Sequence, residues 1–129
     1  MTKTKHVAVL AFLLLLGCSP KPPPKILPTV HPTSGKVVDR SGAPVTGGTV
    51  QFEALASPGQ TALGEIGADG SFTLRTMVDG DRLNGAPPGP QRVTYMPKMI
   101  EDQSVAVPVT LSEQFEVKEG QNNFTIKLP

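Results

Sequence analysis

Tryptophan is absent from the 129 residues, tyrosine and cysteine each occur once, and there are two histidines. A single cysteine excludes an intramolecular disulfide framework and any zinc site built on cysteine pairs. With no tryptophan and so few other rings, an exposed aromatic platform for sugars or single-stranded nucleic acid has little to be built from. The longest apolar run, Val7–Leu16, is ten residues, half of the roughly 20 that a membrane-spanning helix needs. Lysine and arginine number 12 against 11 acids. They form no basic block, so nucleic-acid binding has no electrostatic footprint. What is plentiful is proline, 14 residues, and glycine, 13. Both interrupt helices and punctuate turns, which favours short strands.

The chain opens with a sorting signal. Lys3 and Lys5 precede the apolar run and no acid does, the charge order of a secretory leader. The run closes on Leu15-Leu16-Gly17-Cys18-Ser19, which resembles the lipobox of bacterial lipoproteins, where the cysteine carries the lipid and becomes the mature N-terminus. Residues 1–17 are therefore expected to be removed as a signal peptide and Cys18 to be lipidated, with palmitate among its acyl chains. Loss of the two lysines leaves ten basic residues against 11 acids, a net of −1. Residues 18–32 hold six prolines between Ser19 and Pro32. Proline fixes φ and removes a donor, so this stretch reads as an extended stalk of roughly 40 Å at about 3.1 Å per residue.

Period two sets in at Thr33. Thr33, Gly35 and Val37 alternate with Ser34, Lys36 and Val38, and Asp39–Gly42 turns the chain. Val50 and Phe52 mark a second strand, ended by Ser57-Pro58-Gly59, and Ala62–Ile66 a third. Asp69-Gly70 is read as a hairpin turn leading to inward Phe72 and Leu74. Val78–Pro90 lacks an apolar period and reads as a long loop; Gln91, Val93 and Tyr95 resume the alternation. Val105, Val107, Val109 and Leu111 share a parity with Phe115 and Val117, and Pro108 places the start of that segment at a sheet edge. Phe124, Ile126 and Leu128 form a last strand. Seven short strands in residues 33–129 point to an all-β sandwich. An up-and-down order would gather Ala56–Thr61, Thr76–Pro90 and Lys118–Asn122 at one end.

Several phrases resemble one family. Gly35–Phe52 (GKVVDRSGAPVTGGTVQF), Asp69–Leu74 (DGSFTL), Gly85–Thr94 (GAPPGPQRVT) and Val117–Phe124 (VKEGQNNF) resemble, in order, the signatures of carboxypeptidase regulatory-like domains. With the lipobox and stalk, the chain is similar to the short lipoproteins carried by planctomycete-type bacteria. The resemblance implies a seven-stranded transthyretin-like, Ig-like β-sandwich over residues 33–129, and no particular activity. Gln91 stands where the family has an aromatic, so the core is expected to thin there.

No set of residues supplies both a nucleophile and a positioned base. His31 sits in the stalk and reads as a spacer, and the acid pairs Asp79/Asp81 and Glu101/Asp102 read as solvated loop carboxylates, so no catalytic residue is assigned and the chain is not expected to be an enzyme. Asp79 and Asp81, with Asn84 nearby, offer hard oxygen ligands and are the weak calcium candidates. They lack the spacing and closing glutamate of a helix-loop-helix calcium site. Asp79, Asp81, Arg82 and Asn84 are also the candidate binding residues, since long loops on rigid scaffolds commonly bind. The expectation is a lipid-anchored module of the cell envelope, facing the periplasm or exterior, with a binding or structural role. Its partners would be the membrane, through the lipid on Cys18, and a protein or glycan; no other cofactor is expected. The alternative is an accessory subunit of an exported enzyme or transporter. Metabolic labelling with a fatty acid should mark the wild-type chain and not Cys18→Ser; equal labelling of both would remove the anchor.

Overall fold

The computed structural model describes Gly17, residues 26–99 and residues 106–129. Cys18, Glu101, Asp102 and Val105 lie outside the described residues, as do the leader to Leu16 and most of the stalk. Nine strands follow one another: β1 (Thr33–Val38), β2 (Thr49–Ala54), β3 (Thr61–Glu65), β4 (Ser71–Thr73), β5 (Arg75–Val78), β6 (Asp81–Asn84), β7 (Gly89–Met96), β8 (Val109–Val117) and β9 (Asn122–Lys127). They form an Ig-like β-sandwich, with a three-stranded sheet in the order β4-β1-β9 and a six-stranded sheet in the order β6-β5-β3-β2-β7-β8.

The alternation read from sequence sets the inner faces. Val37, Val50, Phe52, Phe72, Val93, Phe115, Val117 and Ile126 are all buried. Phe52 is the centre of the core. Its ring lies 6.0 Å from those of Phe72 and Phe124 and 6.2 Å from that of Phe115, within the range where tilted aromatic pairs attract. Phe124 and Tyr95 are only partly buried against this cluster.

Gln91 does not thin the core. It is fully buried, and its Nε2 donates to the carbonyls of Pro87 at 2.8 Å and Gly89 at 3.2 Å. The amide thereby fastens the segment leading into β7, while its Oε1 is buried without a partner among the described residues. An orphan acceptor of this kind costs about 1–3 kcal/mol, which offsets part of what the two donated bonds contribute.

Four expectations need correction. There are nine strands rather than seven, because the segment through Leu74 is split and the Val78–Pro90 stretch contains β6. Ser71–Thr73 pairs with β1 in the small sheet, whereas Arg75–Val78 pairs with β3 in the large one. The Asp69-Gly70 turn exists, with Gly70 at φ 82°, but the strands it joins lie in different sheets and do not form a hairpin. The order is not up-and-down, since β1 and β9, the first and last strands, pair in parallel from Thr33↔Asn122 to Val38↔Lys127. Finally, Val107 is 68% exposed, and β8 begins only at Val109, after Pro108. The edge position of β8 is as the proline suggested, for it pairs with β7 alone.

Two aspartates build the turns at one end. Asp39 accepts from the hydroxyl of Ser41 at 2.6 Å and from the amide of Ala43 at 3.0 Å. Asp69 accepts from the hydroxyl and amide of Ser71. These bonds favour the ionised form, led by the serine hydroxyl in each case, and hold both carboxyls below the ordinary carboxylate value. A carboxyl depressed in the folded state contributes stability above its unfolded pKa, and that contribution is lost as pH falls through the folded value. Melting midpoints should therefore drop on acidification through and below the normal carboxylate range, and Asp69→Asn should flatten part of that drop. At Gly70 an added Cβ would meet the Val37 carbonyl at 2.9 Å. Gly70→Val should therefore lower stability by about 1–3 kcal/mol in a denaturant melt; an unchanged midpoint would contradict this account of the turn.

Candidate binding cleft

The sequence-predicted binding residues do not lie on a long loop. Asp79 and Gly80 have φ of 47° and 84°, the paired positive values of a tight two-residue hairpin turn. Around them β5 and β6 pair from Val78↔Asp81 to Arg75↔Asn84. Arg82 stands opposite Met77 and is exposed. Asn84 lies three residues along β6 from Asp81. That odd spacing puts it on the other face and roughly 10 Å away along the strand, so Asn84 cannot join Asp79 and Asp81 around one ion. Among the described residues no group of three or more histidine, cysteine or acidic side chains is placed to hold a metal.

The turn at 79–80 nevertheless reaches the expected end. The register Ala54↔Gln91 and Gly89↔Val117 puts the 55–60 and 118–121 turns at that same end of the large sheet, and Leu55 donates its amide to the Pro90 carbonyl at 3.0 Å. His31, expected to be a spacer, is tied in at the same end. Its backbone exchanges bonds of 2.9 and 3.0 Å with Ala86, so the stalk is fixed to the sandwich at the residue before Pro32.

A cleft of about 460 Å³ opens where the stalk meets the small sheet. Thr33, Leu74 and Gly85 are in its lining, joined through their backbones, with Leu74 donating to Thr33 and accepting from Gly85 at 2.9 Å each. Gly85 has φ 128°, and an added Cβ would run into the His31 carbonyl, so only glycine fits there. The wall is a row of side chains set across the sheet. Ser34 on β1 is level with Thr73 on β4 and with Asn123 on β9, and Asn84 and Gln121 flank them. None of these five side chains has a hydrogen bond to another described residue. Asn122, also in the lining, is already engaged: it accepts from the Lys118 amide at 2.9 Å and donates to the carbonyls of Lys118 and Gly120. The lining carries no ionisable side chain. Every free group there is an amide or hydroxyl that both donates and accepts.

Of the four sequence candidates only Asn84 reaches this cleft. Asp79 and Asp81 stay at the hairpin tip, and Arg82 lines a separate groove with Arg75 and Met77 on the large sheet. In the sequence Ser34, Thr73, Gln121 and Asn123 each read as an ordinary outward strand or turn residue of its own segment. The only local signal was their common polarity, and the parallel β1–β9 pairing that assembles them spans nearly the whole domain.

No family model and no curated protein matches the chain. Among solved structures it is similar to the C-terminal domain of the Caf1A usher, at 17% identity over 76% of this chain and 98% of that one, with a TM-score of 0.35. Conserved hydrophobic clusters on the surface of that usher domain are important for F1 antigen assembly. The Ig-like sandwich described here is carried by its own strand order and register.

Proposed function

We propose that the chain is a non-catalytic binding module of the cell envelope, lipid-anchored at Cys18 and of the carboxypeptidase regulatory-like, transthyretin-like type. The leader, the lipobox-like Leu15–Cys18 and the proline-rich stalk support the anchor and its place in the envelope. The ordered series of turn signatures from Gly35 to Phe124 supports the family. One observation carries the binding role: the neutral cleft at the root of the stalk, where Ser34, Thr73, Asn84, Gln121 and Asn123 present unused hydrogen-bonding groups. Groups from separate elements converge there on a concavity of the size small ligands occupy.

The test places a photo-crosslinking residue at Asn123 in the cleft and, separately, at Thr94 on the outer face of the large sheet, in cells making the anchored protein. Adducts should form from position 123 and be sparse from position 94. Equal yields from the two faces would show that the cleft is not the binding surface.

A further inference from the structure

Resting on that reading of the cleft, we infer that its ligand is a neutral glycan lying across the strands of the three-stranded sheet. The spacing is the first reason. Thr73, Ser34 and Asn123 occupy one register line on β4, β1 and β9, and neighbouring strands lie about 4.8 Å apart. The row thus offers one hydrogen-bonding group per strand, at a repeat close to the length of one pyranose residue. Asn84 at the β4 side and Gln121 in the turn before β9 bracket it. The space of about 460 Å³ is enough for two or three rings laid along that line.

The chemistry of the groups is the second reason. A sugar hydroxyl both donates and accepts, as do the hydroxyls of Ser34 and Thr73 and the primary amides of Asn84, Gln121 and Asn123. A charged ligand would meet no counter-charge in this lining, because Lys36, the nearest cation along β1, faces the next line between Ser71 and Thr125. An extended peptide would seek apolar pockets for alternate side chains, and the only apolar side chains in the lining are Pro32 and the fully buried Leu74. Phe52, Phe72 and Phe115 are buried with Phe124 packed against them, and among the described residues no aromatic side chain lines the cleft to stack on a sugar. Recognition therefore rests on hydrogen bonds alone, and affinity is modest.

The full-length chain, isotope-labelled and held in detergent, is titrated with the neutral trisaccharides of the chito-, cello-, malto- and xylo-series and with an uncharged Ala-Ser peptide. At least one trisaccharide should give saturable amide shifts centred on Ser34, Thr73, Asn84 and Asn123. Thr73→Val and Asn123→Ala should each weaken that binding about tenfold with the melting midpoint retained, while Thr94→Val leaves it unchanged. Shifts mapping elsewhere, or saturation by the peptide with no response to any trisaccharide, would overturn the glycan assignment. If no trisaccharide binds while position 123 still crosslinks in the envelope, the glycan is wrong and the cleft stands. If both fail, the cleft falls with it.

Discussion

The small sheet depends on there being no side chain at Gly35. β1 is its central strand, hydrogen-bonded to β4 on one side and β9 on the other. A Cβ at Gly35 would run into the backbone carbonyl of Phe124 and sit 2.8 Å from the ring of Phe72. The first and last strands of the domain therefore lie in parallel register with Gly35 leaving room for the Phe124 carbonyl of β9, and for the Phe72 ring of β4. Phe72 and Phe124 in turn flank Phe52 at 6.0 Å each, so the same close approach positions the core that joins the sheets. Interiors are packed densely enough that such a contact fixes geometry rather than merely permitting it.

From that sheet the rest of the topology follows. β4 is three residues long and holds to β1 before the chain crosses at Leu74 to β5 in the large sheet. Leu74 is fully buried at the crossing, and its backbone is satisfied on both sides by Thr33 and Gly85. Thr76 completes the junction by donating its hydroxyl to the Gly85 carbonyl at 2.8 Å. A strand that serves two sheets must leave a re-entrant corner where they part, and the cleft lies beside this one.

Much of this was legible in the sequence. Strict alternation placed Val37, Val50, Phe52, Phe72, Val93, Phe115 and Ile126 inward, and Pro108 marked an edge. The two Asp-Gly pairs show where such reading stops. Asp69-Gly70 lies between apolar stretches and promised a hairpin, yet the register of β4 is set by β1, so the turn changes sheets. Asp79-Gly80 is the true two-residue hairpin turn and has no signature in the sequence around it, because β6 is an exposed edge strand and shows no apolar period. Local chemistry specifies the turn; which strand pairs after it is decided by packing across the sandwich. The cleft was invisible for the same reason, since Ser34 and Asn123 become neighbours only through the parallel pairing of the domain's two ends.

The position of the cleft relative to the stalk constrains what it could reach. His31 is bonded to Ala86 and Pro32 lines the cleft, so the tether leaves the sandwich at the edge of the binding surface and not at the opposite end. An anchor at Cys18 would leave fourteen residues to Pro32, which as extended proline-rich chain span roughly 40 Å. With such an anchor that length would be an upper bound on the distance from cleft to bilayer. Under the proposed anchoring, a ligand for this site would lie within about 40 Å of the lipid surface. A polymer laid along the register line from Thr73 through Ser34 to Asn123 would meet that limit without having to enter the bilayer.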